Sequence, residues 1–346
     1  MLPGTHLAVL RSWDTYVMLI SRRPLHADQE LVKFAEDRNF DWVYRFDMRP
    51  EWSNRFYVFD APYHSLAVER LSEAYRKGRE SAFFDAYLMD IVPQTDNRPF
   101  PSRFLIWQRL KEMYRATGSR MYTLLLSGEI VVAVIFLEAG LLSLALLALP
   151  FVALRQTGSR PGAAEMLYFL SLGIGFMFVE LYFIKQLVLL YGDPVVSFTV
   201  VLGGMLVFSG VGGFFSQRLT DRALVVSLVL LIALLALAGP ATAWLTQAVL
   251  PFPVPMHFAI GLAWLAVPGV LTGLPFPLAM RHLLTTPSAR AYAWTANGCA
   301  SVLASIAAAQ LALSQGIAAI VICAAAAYGV ALICALKMRS SAADGH

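Results

Sequence analysis

Seven apolar stretches, each reaching the roughly 20 residues that a helix needs to cross a hydrocarbon core, constrain this chain more than any other feature. They cover 122–154, 163–191, 194–217, 223–250, 255–280, 291–315 and 317–336. Small residues recur along them at helix-packing spacing: Gly269 and Gly273, then Ser301, Ser305 and Ala309. In lipid such residues let backbones approach closely, so the stretches predict a packed bundle and not loose anchors.

The charge distribution marks where this bundle begins. Residues 1–120 carry 18 Lys/Arg and 16 Asp/Glu, while 121–346 carry only 9 and 7. One part is built for water and the other for lipid, which places a domain boundary near Arg120. The whole chain is 58% hydrophobic with a mean hydropathy of +0.61, above the usage of ordinary soluble domains. A formal charge of +4, with arginines spread and not gathered in a stripe, argues against a nucleic-acid partner. Cys299, Cys323 and Cys334 have neither paired spacing nor nearby histidines, and read as small core residues. The start at Met1 lacks the basic and apolar run of a signal peptide, so insertion is expected to rely on the later helices.

Within residues 1–120, Thr15 to Ile20 is rich in β-formers and stops before Pro24, which predicts a strand. Residues 28–38 place Leu31, Val32, Phe34 and Ala35 on one helical face, and 41–46 returns to a short strand. This β-α-β order is that of an α/β layer. Residues 63–79 read as an amphipathic helix, 93–100 as a loop, and 102–115 as a helix whose basic side chains lie close to the membrane surface.

The basic loops alternate. Arg155 and Arg160, Arg218 and Arg222, Arg281 and Arg290, and Lys337 and Arg339 all follow odd-numbered segments, which puts those sites in the cytoplasm. Arg103, Arg109, Lys111, Arg115 and Arg120 pull the soluble region the same way. Both ends of 122–154 then lie inside, which predicts a re-entrant or hairpin segment turning near Glu138 and Gly140, with residues before Arg120 and the C-terminus both cytoplasmic.

Glu180 is the leading candidate for function, because it falls about 16 Å from the end of its segment, near mid-membrane. It is either a structural polar contact within the bundle or part of a transport or ligand site. Lys185 sits about 140° around the helix and near its end, a poor partner within the same helix. Pro275 and Pro277 must interrupt helical hydrogen bonding, as a kink or as the broken helix that lines a transporter site. Asn297 and Ser301, four apart, can bond across helices. In the soluble region Asp14, Asp96 and Arg98 are the polar residues to test first, with Asp96 also a turn former. Neither metal spacing nor a nucleophile with its base is visible, and the glycines form no phosphate loop.

Several motifs in order carry a family resemblance. Leu10-Arg11-Ser12-Trp13-Asp14-Thr15, Arg22-Arg23-Pro24-Leu25, Phe40-Asp41-Trp42-Val43-Tyr44 and Thr95-Asp96-Asn97-Arg98-Pro99-Phe100 are similar to the closing part of the spermidine-synthase-like domain of large bacterial membrane proteins. Gly175 to Glu180, Tyr191-Gly192-Asp193-Pro194, Pro275-Phe276-Pro277-Leu278 and Ala296 to Ser301 resemble the major-facilitator-like helices fused to that domain. The resemblance implies a multi-pass protein of the bacterial cytoplasmic membrane. Its residues 1–120 would be the C-terminal part of a Rossmann-like methyltransferase or aminopropyltransferase fold. It also implies S-adenosylmethionine or its decarboxylated form as cofactor. The glycine-rich half that binds such a cofactor is absent here, so this chain is expected to hold none by itself. Transferase activity would need an upstream chain as partner. The alternatives are a transporter-like or substrate-delivery bundle for a small amine or other organic molecule, and a non-catalytic membrane scaffold.

Overall fold

The computed structural model describes residues 4–13, 15–25, 29–56, 58, 60–100, 103–117, 128–153, 162–284 and 286–343. The chain forms two compact units, Met1–Val92 with Ile106–Thr117, and Pro93–Leu105 with Gly118–His346.

The first unit holds strands β1 (Leu7–Ser12), β2 (Thr15–Ile20) and β3 (Asp41–Tyr44), and helices α1 (Gln29–Asp37), α2 (Tyr63–Arg76), α3 (Glu80–Ala86) and α4 (Leu110–Thr117). The strand at 15–20, the helix after it and the strand from Asp41 form where their patterns predict. They do not pair as a β-α-β unit, because β1 lies between β2 and β3 and is antiparallel to both. β1 is buried from Ala8 to Arg11, so it shows none of the alternation that betrays a strand with one wet face. Ala8, Leu10 and Trp42 of the sheet pack on Ala35, Leu31 and Val32 of α1. β2 is an edge strand, with Tyr16, Val17, Met18 and Ile20 exposed. The helix expected over 102–115 is shorter: Trp107–Arg109 is a 3-10 turn and α4 follows it, while Ser102 lies outside the described residues.

The second unit is helical: α5 (Gly128–Ala153), α6 (Ala163–Gln186), α7 (Val188–Tyr191), α8 (Pro194–Ser216), α9 (Arg222–Val249), α10 (Val254–Gly273), α11 (Pro275–His282), α12 (Pro287–Gln315) and α13 (Ile317–Ala343). Among the described residues six spans are long and apolar enough to cross a membrane, which makes this a multi-pass membrane protein. α6 lies at the centre, packed against α12 and α13, while α8 packs on α10 and α5 on α12. Contact between α6 and α12 needs Gly173, where a Cβ would collide with the Asn297 carbonyl. The Tyr191-Gly192-Asp193-Pro194 motif is a turn between helices. Gly192 takes the left-handed φ of 73°, and Asp193 Oδ1 accepts from Val195 N at 2.8 Å and Val196 N at 2.9 Å, with Pro194 opening α8.

The hairpin expected within 122–154 does not form. α5 is one uninterrupted helix of 26 residues, about 39 Å long, with Glu138 and Gly140 near its middle. Glycine costs a helix only about 1 kcal/mol, and a turn in lipid would strand several backbone groups without partners.

Contacts within the second unit fix the two ends of the bundle. At one end, Ile317 N and Ala318 N donate to the carbonyl and Oδ1 of Asn97, each at 2.8 Å, and Arg98 donates to the Ser314 carbonyl at 3.2 Å. Lys185 lies 5.7 Å from the centroid of the Phe100 ring at that same end. At the other, Arg339 pairs with Asp221 at 2.7 Å and Arg281 donates to the Gln217 carbonyl.

Candidate functional site

The interruption between α10 and α11 opens a cavity of about 780 Å³ in the bundle, in the size range of small-molecule sites. Pro275 and Pro277 have no N–H to give, and Pro275 and Leu274 start a new helix where α10 ends. The Pro275 carbonyl accepts from the buried Tyr168 hydroxyl at 3.0 Å, so the break is held by α6. Thr272, Gly273, Phe276 and Pro277 from the break form one wall, and α6, α8, α12 and α13 supply the others. The polar groups are few: Ser209, Asn297, Ser301 and Tyr328 inside, with Arg281 and Arg290 toward the basic end. Asn297 Nδ2 donates to the Phe169 carbonyl at 3.2 Å, and Ser301 Oγ donates to the Asn297 carbonyl at 2.8 Å. These two side chains join α12 to α6 and also face the cavity. Tyr328 is 1% exposed, and its hydroxyl has no hydrogen-bond partner among the described residues.

The structure brings Pro277 and Asn297 to this cavity and sets Pro275 behind its wall. Glu180 is not among the lining residues. It is 4% exposed inside the bundle, and its Oε1 has no hydrogen-bond partner among the described residues. Seven residues from Gly173, it shares the face of α6 turned to α12. Lys185 stays apart from it at the helix end, against Phe100.

The soluble candidates serve other ends. Arg98 belongs to the turn that covers the α12–α13 junction, and Asp96 is exposed in that turn together with Thr95 and Asn97, the turn being closed by Arg98 N to the Thr95 carbonyl at 2.8 Å. Asp14 lies outside the described residues. The buried charges of the first unit include Arg45 and, paired at 2.8 Å across β1 and β3 with both side chains 2% exposed, Arg11 and Asp41. Asp41 Oδ1 also accepts from Arg55 N at 2.7 Å and Phe56 N at 2.9 Å, tying the next loop to the sheet. Tyr16 meets His64 Nδ1 at 3.0 Å, and burial, aided by the Arg11 charge, holds that imidazole below its ordinary value of 6.5.

An adenosyl cofactor does not fit the described residues of this unit. A doubly wound sheet seats it where a parallel strand turns through glycines into a helix. Here the strands are antiparallel neighbours, and no described glycine stands between a strand and a following helix. No family model, curated protein or solved structure matches the chain.

Proposed function

We propose that the bundle binds and moves a small organic molecule through the cavity at its interrupted helix. The observation that carries this reading is the cavity itself. About 780 Å³ of space sits where α10 breaks, with a few converging polar groups in an otherwise apolar wall. Glu180, buried on α6 one helical turn beyond the lining Phe176 and with Oε1 unpartnered among the described residues, is the group that would couple movement to a proton or cation. The test is uptake into proteoliposomes from a panel of labelled organic acids, amines and neutral compounds. Met280→Trp fills the cavity and is expected to lower uptake by about tenfold. Glu180→Gln is expected to leave binding intact while abolishing dependence on an imposed ion gradient. Uptake unchanged by Met280→Trp counts against the site.

A second reading has its own observation. The exposed apolar edge of β2 is open to pairing with another strand, as a partner chain carrying the rest of an α/β domain would offer. The transferase role implied by the spermidine-synthase-like motifs, and with it a bacterial cytoplasmic membrane, is proposed only for such a complex. Calorimetry with S-adenosylmethionine and with its decarboxylated form is expected to give no binding heat for this chain alone.

A further inference from the structure

We infer that the ligand of the bundle cavity is an amphipathic anion, a carboxylate or phosphate head on an apolar body, and not an amine. The inference rests on the binding role just proposed for that cavity and narrows its ligand. The two charged residues that line it, Arg281 and Arg290, are both cations. Each commits a nitrogen to a backbone carbonyl, Arg281 to Gln217 and Arg290 to Leu284, which fixes the guanidinium while leaving further donors of the fork. Two such groups suit an oxyanion and repel an ammonium.

The rest of the wall says what the head is attached to. Phe176, Phe276 and Trp294 are apolar, and Trp294 is 63% exposed. A head held by the two arginines therefore carries a body that such a wall accepts, one that lipid also tolerates. Tyr328 also lines the cavity, with its hydroxyl sealed inside the bundle and without a partner among the described residues. A membrane lipid and a soluble amphipath share this chemistry.

The experiment is calorimetric titration of the full chain in a neutral detergent, using ligands of one chain length: dodecyl phosphate, dodecanoate, dodecylphosphocholine and dodecyltrimethylammonium, with inorganic phosphate alone beside them. The anionic amphipaths are expected to bind at least about tenfold more tightly than the zwitterion, and the ammonium not at all. Arg281→Gln with Arg290→Gln is expected to erase that preference, and the paired lysine variants to restore most of it. Tyr328→Phe is expected to leave the charge preference unmoved. Ammonium binding as tight as phosphate binding overturns the anion while leaving the cavity reading in place. Binding of inorganic phosphate as tight as dodecyl phosphate overturns the amphipath. No binding of any ligand overturns the cavity reading itself. A long-chain lysophosphatidate left bound through purification, seen by mass spectrometry, assigns the ligand to the membrane; its absence with retained dodecanoate affinity assigns it to water.

Discussion

Arg11 and Asp41 show how a residue's role depends on partners that a linear reading does not display. Each sits in an apolar strand, thirty positions apart, and only the pairing of β1 with β3 brings them to 2.8 Å with both buried. Asp41→Asn breaks a buried ion pair by removing one partner, and is expected to destabilise the first unit by about 3–5 kcal/mol. Urea unfolding followed through Trp42 and Trp52 emission measures it. His64 belongs to the same neighbourhood. Its imidazole sits below the ordinary 6.5, so as pH falls the unfolded chain takes up the proton first. The unit therefore has its full stability above pH 6.5 and loses part of it as pH drops through 6.5 toward the folded value. His64→Phe is expected to flatten that slope in the same unfolding assay run from pH 7.5 to 5.5. Asp96 and Arg98 drew notice as polar residues in a motif; the structure spends Arg98 on covering a helix junction and leaves Asp96 at a turn tip.

Elements were legible in proportion to how much their pattern depends on one solvent. The spans from Ala163 onward need only length and apolarity, and they form within a few residues of their expected bounds. β1 escaped notice because both its faces are covered, and α5 was misjudged because a glycine and a glutamate look like a turn in water but remain helical in lipid. Glu138 makes the second point testable. It is exposed near the middle of α5, where a charge costs about 2.5–3.5 kcal/mol in lipid. Glu138→Leu in lipid nanodiscs is expected to raise the melting temperature by a few degrees, and a fall would mean that a partner meets the carboxylate there. The start of α13 gives a complementary case. Asn97 satisfies two of its N–H groups from a distant part of the chain, so Asn97→Ala is expected to cost about 1 kcal/mol, read from earlier hydrogen exchange at Ile317 and Ala318. Nothing local to that helix could have disclosed its cap.

For the whole molecule the deciding question is which side of the membrane carries the soluble residues. Arg218 and Arg222, Arg281 and Arg290, and Lys337 and Arg339 gather at one end of the bundle, tied there by the Arg339–Asp221 pair and the Arg281–Gln217 bond, and the bias of basic loops assigns that end to the cytoplasm. The turn from Thr95 to Phe100 contacts Ser314, Ile317 and Lys185 at the opposite end. α5, as a single helix, runs antiparallel to α12 toward that basic end, with Ser143 beside Cys299 and Gly140 beside Leu303. Arg109, which seemed to draw the region inward, donates to the Tyr87 carbonyl and serves a fold contact. The chain before Pro93 has no candidate span among the described residues. We predict that a cysteine at Glu73, in a background without Cys299, Cys323 and Cys334, reacts with an impermeant thiol reagent in intact cells, and that one at Ser340 reacts only after permeabilisation. Both sites are exposed, so reactivity reports sidedness and not burial. The reverse pattern would return the soluble residues to the cytoplasm, where adenosyl cofactors are made, and with them the transferase complex. The predicted one removes that complex and leaves the cavity at the interrupted helix as the site that the uptake and titration experiments address.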